Sequence, residues 1–196
     1  MREPAALALF GTSADPPTLG HQVLLEGLLE CFPRVATWAS DNPMKRHGAP
    51  LALRSALLAA LVRQIDNPRL EHHQSLSSPF AINTLARARQ QWPNAELVFV
   101  VGSDLAGQIP RWKQAEQVLR GCRLAIAPRR DWPLQPEARD ALERLGARLE
   151  LLALPVPGTA SSQLRQAPDP QQIPAGVWPL LLKHNLYGIT RPEGPA

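Results

Sequence analysis

Five short apolar runs, at residues 7–10, 35–39, 97–101, 124–127 and 149–153, recur along the 196-residue chain with helical stretches between most of them. That alternation dictates a parallel sheet with helices on both faces, because parallel neighbours need a crossover connection and a strand covered on both sides keeps no polar face. A sixth, more polar strand is predicted through residues 70–74, and helices over residues 22–31, 52–64, 82–91, 114–119 and 136–145. The chain is long enough to bury one such core and nothing in it forces a second. We therefore expect one α/β domain, a doubly wound parallel sheet over residues 1–190, with a flexible tail at residues 191–196, where Pro192, Gly194 and Pro195 cluster.

Composition removes several classes of function. The two cysteines, Cys31 and Cys122, form no Cys-x-x-Cys and no metal-type cluster, which fits free thiols in a reducing cytoplasm and argues against a metal site. The N-terminal apolar stretch is broken by Gly11 and Asp15 too early for a signal-peptide core, and no run approaches a membrane span. The net charge of +4 rests mainly on arginines scattered among acidic residues, with Lys45, Lys113 and Lys183 the only lysines. Without a basic stripe interleaved with aromatics, dedicated nucleic-acid binding is not expected.

A doubly wound sheet places its ligand beyond the carboxyl ends of its strands, and two motifs fall there. Gly11-Thr12-Ser13-Ala14-Asp15-Pro16-Pro17-Thr18-Leu19-Gly20-His21 joins the first run to the helix predicted from Gln22. A strand, a tight loop and a helix start make a phosphate cradle. Gly11 permits close backbone approach, Ser13 and Asp15 can organise the turn, and Gly20 leaves room beside His21. Gly102-Ser103-Asp104 follows the run ending at Val101, and the two motifs can face one crevice. Residues 155–160 read as a loop, after which Ser161 can cap a short helix holding Ser162 and Arg165. Serine hydroxyls and amides at a helix start, with a guanidinium one turn later, suit phosphate oxygens.

The first loop resembles the Gly-Gly-Thr/Ser-Phe-Asp-Pro-x-(His/Thr)-x-Gly-His signature of nucleotidyltransferases with a Rossmann-like fold, Thr18-Leu19-Gly20-His21 being its diagnostic end. Thr12 and Ala14 replace a glycine and an aromatic of that signature; a glycine position implies a positive φ or a close ligand approach. Within the superfamily the chain resembles the nicotinate (nicotinamide) mononucleotide adenylyltransferases. Asn42-Pro43-Met44-Lys45 resembles their Asn-Pro-Pro-His-Lys segment, and Val101-Gly102-Ser103-Asp104-Leu105 with Pro110-Arg111-Trp112 resembles their Ile-Gly-Ala-Asp-Ser and leucine-proline-x-tryptophan pattern. Ser78 to Leu85 resembles Ser-x-Tyr-Thr-x-Asp-Thr-Leu with departures at Phe80, Ala81 and Asn83, and Thr159 to Arg165 resembles Ile-Ser-Ser-Thr-x-Ile-Arg. Val177, Leu180, His184, Leu186 and Tyr187 resemble the family's closing helix, with His184 as a capping residue.

The resemblance implies an enzyme that moves AMP from ATP, accompanied by Mg²⁺, to a pyridine mononucleotide with release of pyrophosphate. It assigns His21, Thr18 and Arg165 to the transfer itself. Gly11, Thr12, Ser13, Gly20, Gly102, Asp104, Ser161 and Ser162 would bind ATP, Asp104 through a nucleotide hydroxyl. Lys45, Thr84 and Trp112 would bind the mononucleotide, Lys45 at its phosphate and Trp112 against its ring. The acceptor is open between nicotinate and nicotinamide mononucleotide, since Phe80, Ala81 and Asn83 fall in the stretch that recognises the pyridine substituent; a pantetheine phosphate fits less well. A nucleotide-binding regulator without turnover is the reading from another class, and a homo-oligomer is possible.

Overall fold

The computed structural model describes residues 5–43, 45–129, 132–154 and 161–189; the expected loop at residues 155–160 and tail at 191–196 lie outside them. Six strands, β1 (Ala6–Thr12), β2 (Arg34–Ala39), β3 (Leu70–His72), β4 (Glu96–Gly102), β5 (Arg123–Ala127) and β6 (Arg148–Leu151), form one sheet in the order β3-β2-β1-β4-β5-β6. Every pairing is parallel, so each connection crosses over a face. The crossovers carry α1 (Leu19–Cys31), α2 (Leu51–Ile65), α3 (Ala81–Gln91), α4 (Ser103–Ala106), α5 (Ala115–Gly121) and α6 (Pro136–Arg144); α7 (Ser161–Gln166) and α8 (Trp178–Lys183) follow the sheet. Among the described residues no helix is long and apolar enough to cross a membrane, and Cys31 and Cys122 are unpaired.

The apolar runs are continuous because both faces of each inner strand are covered. In β1, Ala8 and Phe10 join a core with Leu25 and Leu28 of α1 and Leu57, Leu58 and Leu61 of α2, while Leu7 and Leu9 join a second core with Leu85 of α3, Leu119 of α5 and Leu142 of α6. This is the period-two alternation of a strand read out on two faces. The order reverses between β1 and β4, so the carboxyl ends of those strands, at Thr12 and Gly102, splay apart into the crevice where such sheets bind ligands.

Element boundaries shift in two informative places. α1 begins at Leu19, three residues before the predicted Gln22, so Gly20 and His21 belong to its first turn. β3 stops at His72 because residues 74–76 form a 3₁₀ turn, and the Gln74 amide takes the strand's place by donating to Ala39 O at 2.9 Å and accepting from Ala39 N at 3.0 Å.

Gly11 is required by packing below the sheet's end. A β-carbon there would lie 2.7 Å from Cε2 and Cζ2 of the buried Trp38 indole, closer than atoms can pack. We predict that Gly11→Ala lowers stability by about 1–3 kcal/mol, the cost of overpacking a filled site; urea unfolding checks it, and an unchanged midpoint contradicts it.

Candidate active site

The loop between β1 and α1 is shaped by charges buried beneath it. Asp15 is 1% exposed, and its carboxylate accepts hydrogen bonds from Gly48 N at 2.7 Å, Ala49 N at 3.1 Å and the Tyr187 hydroxyl at 2.6 Å. Burial and the Asp15 contact push the Tyr187 phenol up, so the proton stays on tyrosine. Arg165 of α7 donates to the Asp15 carbonyl at 2.8 Å, with its Nη1 3.5 Å from the carboxylate. Arg54 of α2, also 1% exposed, donates to the carbonyls of Ala49 at 3.1 Å, Ser13 at 2.7 Å and Ser40 at 2.8 Å. Burial lowers its pKa, but a guanidinium remains charged in a protein. The turn itself is made at Ala14, whose φ is +48°. Of the positive φ or close ligand approach that the resemblance implies at Thr12, the positive φ is absent: Thr12 ends β1 as ordinary strand.

His21 is clamped at both ring nitrogens. Its Nδ1 lies 3.1 Å from Thr18 N and 2.9 Å from Thr18 Oγ1, and its Nε2 lies 2.9 Å from Thr12 Oγ1. Desolvation in the cleft, helped by Arg129 and Lys45, lowers its pKa from 6.5 to about 4, so the ring is neutral at physiological pH.

Across the crevice, β4 ends at Gly102 and α4 begins. A β-carbon at Gly102 would collide with Asp104 Oδ1, so glycine is what lets that carboxylate fold back over the strand end. Arg129, after β5, donates to Asp104 at 3.1 Å, and its backbone N–H donates to Ser103 Oγ at 3.0 Å. Ser161 at the start of α7 donates to Pro16 O at 2.9 Å, which seats that short helix on the first loop.

These walls enclose a cleft of about 400 Å³. Gly11, Thr12, Ser13, Thr18, Gly20 and His21 line it from the first loop; Gly102 and Asp104 line it from the junction of β4 and α4. Lys45 lines it beside β2, and Ser161, Ser162 and Arg165 line it from α7. Thr84 and Trp112 do not. The Thr84 hydroxyl is buried and donates to Leu76 O at 3.0 Å, and the half-buried Trp112 packs edge-on against Phe99 with centroids 6.0 Å apart. Sequence reasoning overlooked Arg46, His47 and Arg129, which also line the cleft. Arg129 was within reach of the strand-end rule, since it stands two residues beyond β5. With Lys45, Arg46, Arg129 and Arg165 on its walls the cleft suits a polyanion, and loop, strand-end carboxylate and helix-start serines are the parts that hold a nucleotide.

Residues 9–167 match the family described as cytidylyltransferase-like. A probable nicotinate-nucleotide adenylyltransferase of Synechocystis is 35% identical, the alignment covering 92% of this chain and 98% of the relative. A probable nicotinate-nucleotide adenylyltransferase of Chlorobaculum tepidum is 32% identical, with 92% and 97% covered. Among solved structures, Plasmodium falciparum nicotinic acid mononucleotide adenylyltransferase complexed with APC superposes with a TM-score of 0.74 over 94% of this chain and 98% of that one, at 18% identity, a likeness of fold.

The clamp on His21 has a signature in solution. In an NMR pH titration its ring should protonate near pH 4 and not near 6.5. Because the folded state then holds fewer protons than the unfolded chain between those values, His21 makes the protein lose stability as pH falls from 6.5 towards 4. A midpoint near 6.5 contradicts the buried, neutral ring.

Proposed function

The chain belongs to the cytidylyltransferase-like family, among its nicotinate-nucleotide adenylyltransferases, and on that basis we propose that it transfers AMP from ATP to nicotinate mononucleotide, giving nicotinate adenine dinucleotide and pyrophosphate. The observation that carries this reading is the cleft itself, where His21, Arg165 and the α7 serines converge between the ends of β1 and β4.

In the transfer, an oxygen of the mononucleotide phosphate attacks the α-phosphorus of ATP. The bond from that phosphorus to the α–β bridging oxygen breaks, and pyrophosphate leaves with the electron pair. The protein's part is to hold two anionic substrates in line and to aim donors at the charge that grows on the phosphoryl oxygens. The first loop serves the ATP phosphates through Thr18 and His21, and His21 is the source of its main transition-state donor, directly or through a neighbouring hydroxyl. Arg165 with Ser161 and Ser162 receives the departing pyrophosphate, and Lys45 neutralises the mononucleotide phosphate. Asp104 accepts a nucleotide hydroxyl.

Mg²⁺ fits this cleft as a companion of ATP. Among the described residues no group of three or more histidine, cysteine or carboxylate side chains could hold a metal, and Asp104 is paired with Arg129. Arriving with ATP, the cation would supply neutralisation of phosphate charge. Nicotinamide mononucleotide is the competing acceptor, because Thr84 and Trp112 lie outside the cleft lining and Ala81 stands in the stretch that would read the pyridine substituent.

Pyrophosphate release from MgATP, measured in parallel with nicotinate mononucleotide, nicotinamide mononucleotide and phosphopantetheine, tests the proposal. We predict strong preference for nicotinate mononucleotide, and a loss of roughly a hundredfold or more in kcat for His21→Ala with the fold retained. Preference for the amide transfers the assignment to that acceptor. ATP binding without release from any acceptor makes the protein a regulator, and near-normal turnover of His21→Ala removes the histidine from the chemistry.

A further inference from the structure

The contacts around His21 determine where its single ring proton sits. A backbone N–H can only donate, so the 3.1 Å contact from Thr18 N makes Nδ1 an acceptor. The neutral ring therefore carries its proton on Nε2, and that proton is donated to Thr12 Oγ1 at 2.9 Å. The Thr12 oxygen also accepts, at 3.4 Å, from Ala14 N. Its lone pairs are thus occupied from the protein side, and among the described residues no acceptor takes the hydroxyl's own proton. Thr12 cannot move away from this arrangement easily. It ends β1, its carbonyl accepts from Ser40 N at 2.7 Å, and a β-branched side chain on a strand has few χ1 choices. The side chain lines the cleft.

We propose that the Thr12 hydroxyl is a substrate-touching donor of this site: it presents its proton to an α-phosphate oxygen of the bound nucleotide, and His21 acts through it, as a positioning residue that keeps the hydroxyl oriented into the cleft. The proposal rests on the adenylyltransferase reading and refines how the His21 donor reaches the phosphate. No proton is transferred; a chain of two hydrogen bonds, Nε2–H to Oγ and O–H to phosphate, polarises towards the charge as it grows. A glycine at this place, as in the signature the loop resembles, leaves the imidazole to face the phosphate alone. In this chain the threonine stands between them.

The test compares Thr12→Ser, Thr12→Val and Thr12→Gly with wild type for kcat and for the KM of ATP, with thermal unfolding and the ¹⁵N spectrum of the His21 ring as controls. Valine keeps the shape and removes the hydroxyl. It should lose about a hundredfold to a thousandfold in kcat, the range for one preorganised donor, while His21 keeps its proton on Nε2 because Thr18 N–H still fixes Nδ1. Serine should recover most of that loss, and glycine should not. Thr12→Val combined with His21→Ala should be no slower than His21→Ala alone, since the two groups act as a unit. Wild-type turnover in Thr12→Val, or faster turnover in Thr12→Gly, overturns the proposal and makes Thr12 an obstruction. If wild type releases no pyrophosphate with any acceptor, the adenylyltransferase reading fails separately. Binding of a non-hydrolysable ATP analogue then decides the contact, with about tenfold weaker binding by Thr12→Val supporting it and equal binding overturning it.

Discussion

A carboxylate buried at the end of the first loop ties the molecule together. Asp15 has little contact with water, and an ionised group in that position is tolerated only when its oxygens are satisfied by the protein. The partners come from far along the chain: the backbone at Gly48 and Ala49, the guanidinium of Arg165 and the phenol of Tyr187. Arg54 does the complementary work, with one buried cation gathering the carbonyls of Ser13, Ser40 and Ala49. Together they close the loop from beneath and leave its upper surface, with Thr12, Thr18 and His21, facing the crevice.

The site inherits its electrostatics from this construction. Because α7 is docked on the loop through Arg165 and Ser161, cationic and hydroxyl groups from near the end of the chain stand opposite those from its beginning. The cleft is rich in cations, yet the group at its centre is a neutral imidazole, kept so by burial and by Arg129 and Lys45. A neutral ring adds a directed N–H donor without adding another charge that must be desolvated before substrate arrives. Fixed donors that need no rearrangement when charge develops are the kind that lower a barrier most.

The strands were legible in the sequence because both faces of the inner ones are buried, which leaves uninterrupted apolar runs. The first loop was legible because its glycines, hydroxyls and His21 lie in one continuous stretch between a strand and a helix start. What escaped was set by long-range contacts. Asp15 reads as a turn former, and nothing near it in sequence announces Tyr187, 172 residues away. The start of α1 was placed too late because the Thr18–His21 exchange, which pulls Gly20 and His21 into the helix, looks like loop chemistry until the ring is seen against Thr18 N. Arg129 lies in a stretch with no motif of its own, and only its place after β5 marks it. Thr84 and Trp112 came from resemblance; neither lines the cleft, Thr84 being hydrogen-bonded to Leu76 and the half-buried Trp112 packing edge-on against Phe99. A positive φ is not demanded at Thr12, since the left-handed residue of the loop is Ala14.

The central claim is that the crevice between the ends of β1 and β4 holds the triphosphate. A crystal structure of the protein with a non-hydrolysable ATP analogue and Mg²⁺ tests it most directly. The α-phosphate should lie against Thr12 and His21, and the β- and γ-phosphates between Arg165 and the α7 serines. Phosphates bound outside the walls formed by the first loop and α7, with His21 still donating to Thr12 and no nucleotide near it, would contradict it.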